Sequence, residues 1–291
     1  MKNRVNLVIS WMILVILAGP VRAQERPFPY ALGNRDLLMA PASLGLAIWG
    51  QSEVRGSLDH IAPDEISGLG RSDVNRLDRS ATRNWSYCWE ELSDSSLKLV
   101  IASTIGIGLY EIKRHDFGQS VTMGVMFLET MLLVQGITQL TKARVGRLRP
   151  FLYNTGVSVD RRYERAQSWD DDRFGSLIKN YGNHARYSFF SGHTSAAFAL
   201  ATFTSTVFRD IHGPSTWSKL IWGSTLTLAT LTAYARVKAG AHYPSDVIAG
   251  AIVGGAIGRL VPALHGKDSS RRLILGVRPD RVCLRLQFGT G

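Results

Sequence analysis

The chain has 291 residues, a formal net charge of +11 and a hydrophobic fraction of 45%. This apolar content is enough to bury a sizeable core and excludes a disordered chain. With Cys88 and Cys283 as its two cysteines, the chain has no cysteine-rich zinc site and can form at most one disulfide.

The first 23 residues have the three parts of a secretory signal peptide. Lys2 and Arg4 precede an apolar run over residues 7–18, and a small-residue site follows at residues 21–23. We therefore expect cleavage before Gln24 and a periplasmic or secreted protein. The apolar run is shorter than the roughly 20 residues that cross a bilayer, so an uncleaved anchor is the alternative.

Cleavage would remove three positive charges (Lys2, Arg4 and Arg22) and no acid, and would leave a net charge of +8 instead of +11. A basic surface outside the cytoplasm favours lipid headgroups or phosphorylated substrates over nucleic acid. Ordinary solubility charge explains the same value. The charge therefore allows association with a membrane surface, and it leaves the oligomeric state open.

The remaining chain divides into three regions. Residues 24–96 are mixed, with one short apolar segment over residues 37–49, and we expect them to pack on the core. Residues 97–266 carry long apolar segments of helical character and predict an all-α helical bundle. Residues 267–291 alternate apolar and polar positions around Pro279 and predict a β-hairpin that forms a structural flap. These regions follow the signal peptide over residues 1–23.

The long apolar segments leave two settings open, a soluble bundle or a membrane. Segment 119–141 could span a bilayer, but Glu129 lies near its middle. Segments 97–112 and 245–263 each contain two charged residues. We interpret them as buried helices of a compact bundle, with a membrane-embedded protein as the alternative. Glu129 would then pair with a cation inside the bundle, or make a polar core contact.

A first polar cluster ends segment 119–141. Lys142, Arg144, Arg147 and Arg149 place four cations in eight residues, and Pro150 ends the segment. Such cations repel one another unless an anion or water lies among them. They would also complement the helix dipole, which is the alternative explanation.

A second cluster precedes the next apolar helix. Ser191, Gly192 and His193 stand where backbone N–H groups at a helix start point outward and can bind an anion. His193 would be placed to pass a proton to a leaving oxygen. A capping or packed imidazole is the plainer interpretation of this histidine on its own.

The third cluster contains Arg236, His242 and Asp246. The planar guanidinium of Arg236 suits two oxygens of a phosphoryl group. Asp246 lies four positions after His242 and could accept its Nδ1–H, which would leave Nε2 as a nucleophile. Each cluster alone is a weak signal, but the ordered set is specific.

Together, the clusters resemble the signature of the type 2 phosphatidic acid phosphatase superfamily, which includes bacterial acid phosphatases and vanadium-dependent haloperoxidases. The matching stretches are residues 142–150, 191–193 and 236–246. Two positions depart from the commonest pattern, because Phe190 replaces a proline and Ala235 replaces a serine. The departure at Ala235 could loosen the setting of the site.

This resemblance implies an all-α bundle of the acid phosphatase and haloperoxidase type, and a phosphatase that uses neither metal nor cofactor. His242 would attack phosphorus, Asp246 would steady His242, and His193 would protonate the leaving oxygen. The phosphoryl oxygens would be held by Lys142, Arg149, Ser191, Gly192 and Arg236. The implied substrate is a phosphate monoester, or a lipid phosphate or pyrophosphate.

Two alternatives remain at this stage. One is a haloperoxidase that holds vanadate where the phosphate would sit, and the other is an inactive homologue that only binds anions. The paired nucleophile and acid argue against a pure binder. The residues of the site fit both chemistries, phosphatase and haloperoxidase.

The connection over residues 151–187 is unusually long for a compact domain, and we expect it to shape the substrate entrance. It carries Arg161, Arg162 and Arg165, together with the acidic run at residues 170–172. That run is more typical of a solvated loop than of a metal site. Arg144 and Arg147 are not placed by the family pattern, and we expect them at the surface or behind the phosphate ligands.

Overall fold

The computed structural model describes residues 27–56, 61–168 and 184–267, together with the backbone of residues 271–278 and 281–288. The predicted signal peptide and the acidic run at residues 170–172 lie outside the described residues. The side chain of Cys283 also lies outside them, and Cys88 is a free, exposed cysteine.

Eight α-helices form the described part of the chain, and four short 3₁₀ helices lie between them. They are α1 (Asp36–Gly56), α2 (Pro63–Gly68), α3 (Tyr87–Ile112), α4 (Phe117–Val145), α5 (Val159–Ser168), α6 (Gly192–His212), α7 (Thr216–Lys238) and α8 (Pro244–His265). The 3₁₀ helices are Arg71–Asp73, Arg79–Arg83, Pro150–Tyr153 and His184–Arg186. The prediction of a helical bundle is confirmed.

Polar side chains mark where the helices begin. Ser86 accepts a hydrogen bond from the Trp89 N–H ahead of α3, and Asp116 does the same for the Gln119 N–H ahead of α4. Such caps satisfy N–H groups that have no partner inside the helix. Helix α3 therefore begins well before residue 97, and the expected boundary between residues 96 and 97 falls inside this helix.

Helix α6 occupies the middle of the bundle and packs against α3, α4, α7 and α8, while α1 lies along α4. Gly250, Gly254 and Gly258 recur every four residues and form a glycine strip on the face of α8 that lies against α6. A Cβ atom built on Gly254 would lie 2.0 Å from the Ser195 carbonyl oxygen, and one on Gly258 would lie 2.2 Å from that of Ala199. These glycines allow the two backbones to touch.

The bundle does not bury its longest helices, which favours the membrane-embedded alternative over a compact soluble bundle. Three helical stretches, Tyr87–Ile112, Phe117–Tyr153 and Pro244–His265, are long and apolar enough to cross a membrane. Only 33%, 44% and 39% of their most apolar windows are buried within the protein. Large apolar side chains point outward on all three, including Leu109, Leu128 and Ile252. Glu111, Glu129 and Asp246 are buried inside the bundle, whereas Lys98 and Arg259 are exposed. Because Glu129 does not face outward, it no longer argues against a membrane.

The C-terminal segment forms two antiparallel strands, β1 (Arg271–Arg278) and β2 (Arg281–Phe288). Leu275 pairs with Leu284, and Arg278 pairs with Arg281 at the end of the two strands. This is the hairpin that the alternating sequence pattern predicts. Upstream, the backbone near Tyr30 bridges to Gly266, so the start of the described chain is paired to the end of α8.

Candidate active site

The three polar clusters meet at one end of the bundle. Lys142 lies in the last turn of α4, Gly192 and His193 open α6, and Arg236 lies in the last turn of α7. Asp246 lies in the first turn of α8. The predicted site residues therefore lie at the ends of these helices or in the connections next to them, at one end of the bundle.

His242 stands in the tight connection between α7 and α8 and is 1% exposed. Its Nδ1 lies 2.7 Å from the Ser188 carbonyl oxygen, whereas the nearest Asp246 oxygen is 3.6 Å away. Because a carbonyl oxygen can only accept, Nδ1 carries the proton and Nε2 keeps its lone pair. The tautomer agrees with the prediction, but the backbone of Ser188, rather than Asp246, is its closest acceptor.

Asp246 is fully buried and holds the surrounding loops together. Its Oδ2 accepts from the Ser188 hydroxyl at 2.5 Å and from the Tyr243 N–H at 2.9 Å, and its Oδ1 accepts from Arg147 at 2.6 Å. The Asp246 carbonyl also accepts from the Ser191 N–H at 3.2 Å. Asp246 thus joins the connection that bears His242 to the one that bears Ser191.

Arg147 lies behind the pocket and connects two buried carboxylates. Besides Asp246, it donates to Asp78 at 2.8 Å, and its guanidinium stacks 3.9 Å from the centre of the Tyr243 ring. Asp78 in turn accepts from the Ser245 N–H and hydroxyl. Arg147 is therefore a positioning residue, in line with the expectation that it stands behind the phosphate ligands. Arg144 is exposed.

Arg149 faces the other nitrogen of His242. Its Nη1 lies 3.2 Å from His242 Nε2 and donates to the Ala241 carbonyl at 2.9 Å. Burial, followed by the charges of Arg149, Arg236 and Lys142, holds the pKa of His242 well below its usual range. The imidazole is therefore neutral at neutral pH and carries the lone pair that a nucleophile needs.

The start of α6 lies close to the lysine. A Cβ atom built on Gly192 would lie 3.4 Å from Lys142 Nζ, so glycine leaves the space between the amine and the helix start open. The Ser191 hydroxyl accepts from the Thr194 N–H at 3.4 Å and from the Thr194 hydroxyl at 2.9 Å. Its primary contact is a helix cap, and its own proton can still be donated to an anion.

His193 has a partner that the sequence reasoning missed. Its Nε2 lies 3.0 Å from Oδ1 of Asp94 in α3, and the same oxygen lies 3.6 Å from Arg236. Burial and the charge of Arg236 outweigh Asp94 and lower the pKa of His193 to about 4. No spacing in the sequence relates Asp94 to the three clusters, because only the packing of α3 against α6 and α7 brings it there.

Part of the long connection over residues 151–187 is anchored near the site. Arg165 donates to Glu90 at 3.1 Å and to the Ala239 carbonyl at 2.9 Å, and its guanidinium lies 4.6 Å from the centre of the Trp85 ring. Arg162 donates to the Leu152 carbonyl at 2.6 Å. The hydrogen bonds of these two arginines hold α5 against the core, whereas Arg161 is exposed.

Glu129 has no cation of the first cluster beside it and makes a polar contact in the core, which is the second of the two alternatives that the sequence left open. Its carboxylate lies instead against His265 at the end of α8, at a distance of 3.3 Å. Glu129 is about three and a half helical turns from Lys142, which places it in another part of the bundle.

Comparisons with known proteins indicate the family of the chain. The sequence model of the PAP2 superfamily matches residues 124–270. The chain is similar to the protein named lipid A 4'-phosphatase of Porphyromonas gingivalis, with 38% identity over 88 residues, or 30% of this chain. The chain spans about a third (34%) of the length of that relative. No solved structure matches the chain.

The matched region begins within α4 and contains all three clusters, so it includes Lys142, His193 and His242. It covers half of the chain. The protein belongs to the PAP2 superfamily.

Proposed function

We propose that the protein is a membrane-embedded phosphatase that hydrolyses a lipid phosphate through a phosphohistidine on His242. The observation that carries the proposal is the arrangement of this imidazole. Its Nδ1 is held by the Ser188 carbonyl, and its Nε2 faces Arg149 in a buried, cationic pocket.

The phosphoryl group would be bound by charge. Arg149 lies 3.2 Å from Nε2 of His242, and the positive charges of Arg149, Arg236 and Lys142 each lower the pKa of this imidazole. The Gly192 N–H and the Ser191 hydroxyl add donors from the helix start. A phosphoryl dianion would replace His242 Nε2 as the partner of Arg149. Such positioning and charge stabilisation supply most of the catalysis in phosphoryl transfer.

The reaction then has two displacements at phosphorus. In the first, Nε2 of His242 forms the P–N bond while the P–O bond to the leaving group breaks, and His193 gives its proton to the leaving oxygen. In the second, His193 takes a proton from water, whose oxygen attacks phosphorus as the P–N bond breaks. Inorganic phosphate leaves, and both histidines return to their starting states.

The low pKa of His193 fits the binding of a dianion. In the free protein, burial and Arg236 keep this imidazole neutral at pH 7. A bound phosphoryl group would compensate the charge of Arg236 and leave Asp94 as the dominant neighbour. The pKa of His193 would then rise, so that this imidazole is protonated and can act as the acid when substrate is bound.

Two observations support a lipid as the substrate. The outward apolar faces of α3, α4 and α8 suit hydrocarbon, and the site lies at the ends of these helices, where a lipid headgroup would reach it. A protein named lipid A 4'-phosphatase shares 38% identity over the matched stretch. A soluble phosphate monoester would bind the same pocket.

The test is phosphate release by the purified full chain in detergent. We expect turnover of lipid A or phosphatidate to exceed that of para-nitrophenyl phosphate, and His242→Ala to abolish both activities. His115→Ala changes a histidine far from the pocket and should retain them. A quenched reaction should contain an acid-labile phosphoryl group on the wild-type protein and none on His242→Ala. Full activity of His242→Ala would refute the mechanism.

The membrane setting has its own measurement. After an alkaline wash of the membrane fraction, the protein should stay with the lipid and should require detergent for release. Recovery of the whole protein in the detergent-free supernatant would contradict embedding and restore the interpretation of a soluble bundle.

A further inference from the structure

A second group of polar side chains is buried at the opposite end of the bundle. Asp36 in the first turn of α1, Glu129 in the middle of α4 and His265 at the end of α8 lie against one another. At about 1.5 Å per residue, His265 is about 29 Å along α8 from Asp246. The group is therefore remote from the phosphatase site and takes no part in its chemistry.

The group has more negative charge than its contacts satisfy. The Nε2 of His265 lies 3.0 Å from Asp36 Oδ1 and 3.3 Å from Glu129 Oε2. Neither oxygen is aligned with the N–H direction at Nε2, so neither contact is a hydrogen bond. Among the residues that the structure describes, Asp36 Oδ1 and both oxygens of Glu129 also have no hydrogen-bond donor. Because Glu129 is only 1% exposed, its carboxylate is expensive to bury without a cation.

The other ring nitrogen of His265 contacts a backbone carbonyl. Its Nδ1 lies 2.8 Å from the Val261 carbonyl, so Nδ1 donates to this oxygen and Nε2 is the ring nitrogen left beside the two carboxylates. Metal-binding histidines are commonly fixed in this way, with one ring nitrogen donating to a carbonyl and the other coordinating the ion. A metal ion would replace any proton on Nε2 and would bring positive charge to both carboxylates.

The spacing matches a tetrahedral metal ion. Ligands placed about 2.0–2.1 Å from Zn²⁺ at tetrahedral angles are about 3.3 Å apart, and the two measured separations are 3.0 and 3.3 Å. An oxygen at such a position lies to the side of the ring N–H direction, as these oxygens do. One imidazole with two carboxylates suits Zn²⁺ better than Mg²⁺ or Ca²⁺, which take more oxygen ligands.

Backbone hydrogen bonds hold the segments that carry Asp36 and His265 next to each other. The Ala31 N–H donates to the His265 carbonyl at 2.9 Å, and the Lys267 N–H donates to the Pro29 carbonyl at 2.8 Å. These contacts hold the chain that leads into α1 against the end of α8. The Gly33 N–H binds the second oxygen of Asp36 and leaves Oδ1 to face the group. The ligands would thus need little rearrangement.

We propose that Asp36, Glu129 and His265 bind one structural divalent cation of the Zn²⁺ type, which joins α1, α4 and α8 at the end of the bundle away from the phosphatase site. The fourth position of a tetrahedral ion would be taken by water or by the second oxygen of a carboxylate.

The first test measures zinc in the full chain purified in detergent. The protein is stripped with a chelator, dialysed against Zn²⁺ and then against metal-free buffer, and its metal content is determined by mass spectrometry. We expect about one Zn²⁺ per chain, a melting temperature several degrees above that of the stripped protein, and no such shift with Mg²⁺. Less than a tenth of a Zn²⁺ per chain together with an unchanged melting temperature would overturn the proposal.

The second test assigns the ligands. Glu129→Gln and His265→Gln should each lower bound Zn²⁺ at least tenfold. Glu111→Gln is the matched control, because Glu111 is another buried glutamate, but both of its oxygens are already bound by His115 and His212. This control should keep the wild-type zinc content. Unchanged zinc in both of the first two variants would place the ion elsewhere and refute the site.

X-ray absorption on the zinc-loaded wild type does not depend on any variant folding. One nitrogen and two or more oxygens at about 2.0–2.2 Å are expected. A first shell that contains sulfur, or several imidazoles, would contradict the assignment.

Discussion

Nε2 of His193 lies 3.0 Å from Oδ1 of Asp94, although the two residues belong to different helices and to different regions of the sequence. The carboxylate also lies 3.6 Å from Arg236, so it sits between the proposed acid and one of the proposed phosphate ligands. Asp94 is thus positioned to set both the orientation and the proton affinity of His193.

The first prediction concerns Asp94→Asn. The negative charge of Asp94 raises the pKa of His193, so its removal should lower that pKa further. In the substrate complex His193 must be protonated to act as the acid. The alkaline limb of the kcat profile should therefore move to lower pH by about one unit. We expect kcat to fall roughly 10-fold to 100-fold, part of what a general acid supplies.

Its control is Glu91→Gln, an exposed acid on the same helix, which should leave the pH profile unchanged. A profile of Asp94→Asn that coincides with the wild-type profile, even with a lower kcat, would mean that Asp94 has only a structural role.

Arg147 provides a stability prediction. Arg147→Ala removes the partner of two buried carboxylates, Asp78 and Asp246, and leaves both with fewer hydrogen bonds. We expect the free energy of unfolding to fall by about 3 kcal/mol. Arg144→Ala is the comparison, since Arg144 is exposed and lies 3.9 Å from Glu53. It should cost less than about 0.5 kcal/mol. Equal losses in the two variants, measured by denaturant unfolding in the same detergent, would contradict this account.

The buried carboxyl group of Asp78 makes the free energy of unfolding depend on pH. Burial alone would raise the pKa of Asp78, but hydrogen bonds from Arg147, Asn75 and Ser245 outweigh it and hold the pKa below the usual value of 3.8. A carboxyl whose pKa is lower in the folded protein than in the unfolded chain stabilises the fold at pH values above the unfolded-state pKa. This stabilisation is lost as the pH falls through the folded-state pKa. The free energy of unfolding should therefore decrease below about pH 4.

Asp78→Asn should weaken this acid dependence, whereas Asp160→Asn, at an exposed position, should keep it. An acid limb of the same size in Asp78→Asn and in the wild type would assign the effect to other carboxylates.

The glycine strip of α8 yields a packing prediction. Gly254→Ala places a methyl group 2.0 Å from the Ser195 carbonyl oxygen, so α8 must move away from α6. We expect a loss of about 1–3 kcal/mol in unfolding free energy and a lower kcat, because Ser195 is close to the start of α6 that forms the pocket.

Gly124→Ala tests the same substitution where nothing lies within 4 Å of the new atom. It should be neutral or stabilising by up to about 1 kcal/mol, since alanine favours helix. If thermal unfolding ranked Gly124→Ala as the more damaging of the two, close packing of α8 on α6 would not explain the strip.

The local sequence determined the helices, the glycine strip and the identity of the main site residues. Apolar runs with a helical period, bounded by Ser86, Asp116 and Ser191 as caps, require only contacts within a few residues. The spacing of His242 from Arg236 and Asp246 is likewise local, because one turn and one helix start connect them. Phosphate-binding chemistry could therefore be inferred from three short stretches.

Only the tertiary structure decided which distant groups complete the site and which helix faces stay uncovered. Asp94 contacts His193, Asp78 contacts Arg147, and the Ser188 carbonyl contacts His242, in each case from another element of the fold. No periodic sequence pattern predicts such contacts. The interpretation as a soluble bundle did not foresee the uncovered apolar faces, for the same reason. A charged residue such as Glu129 argues against a membrane only if it faces lipid, and its direction is settled by the packing of α4 against α1 and α8, which turns the carboxylate inward and leaves the apolar face outside.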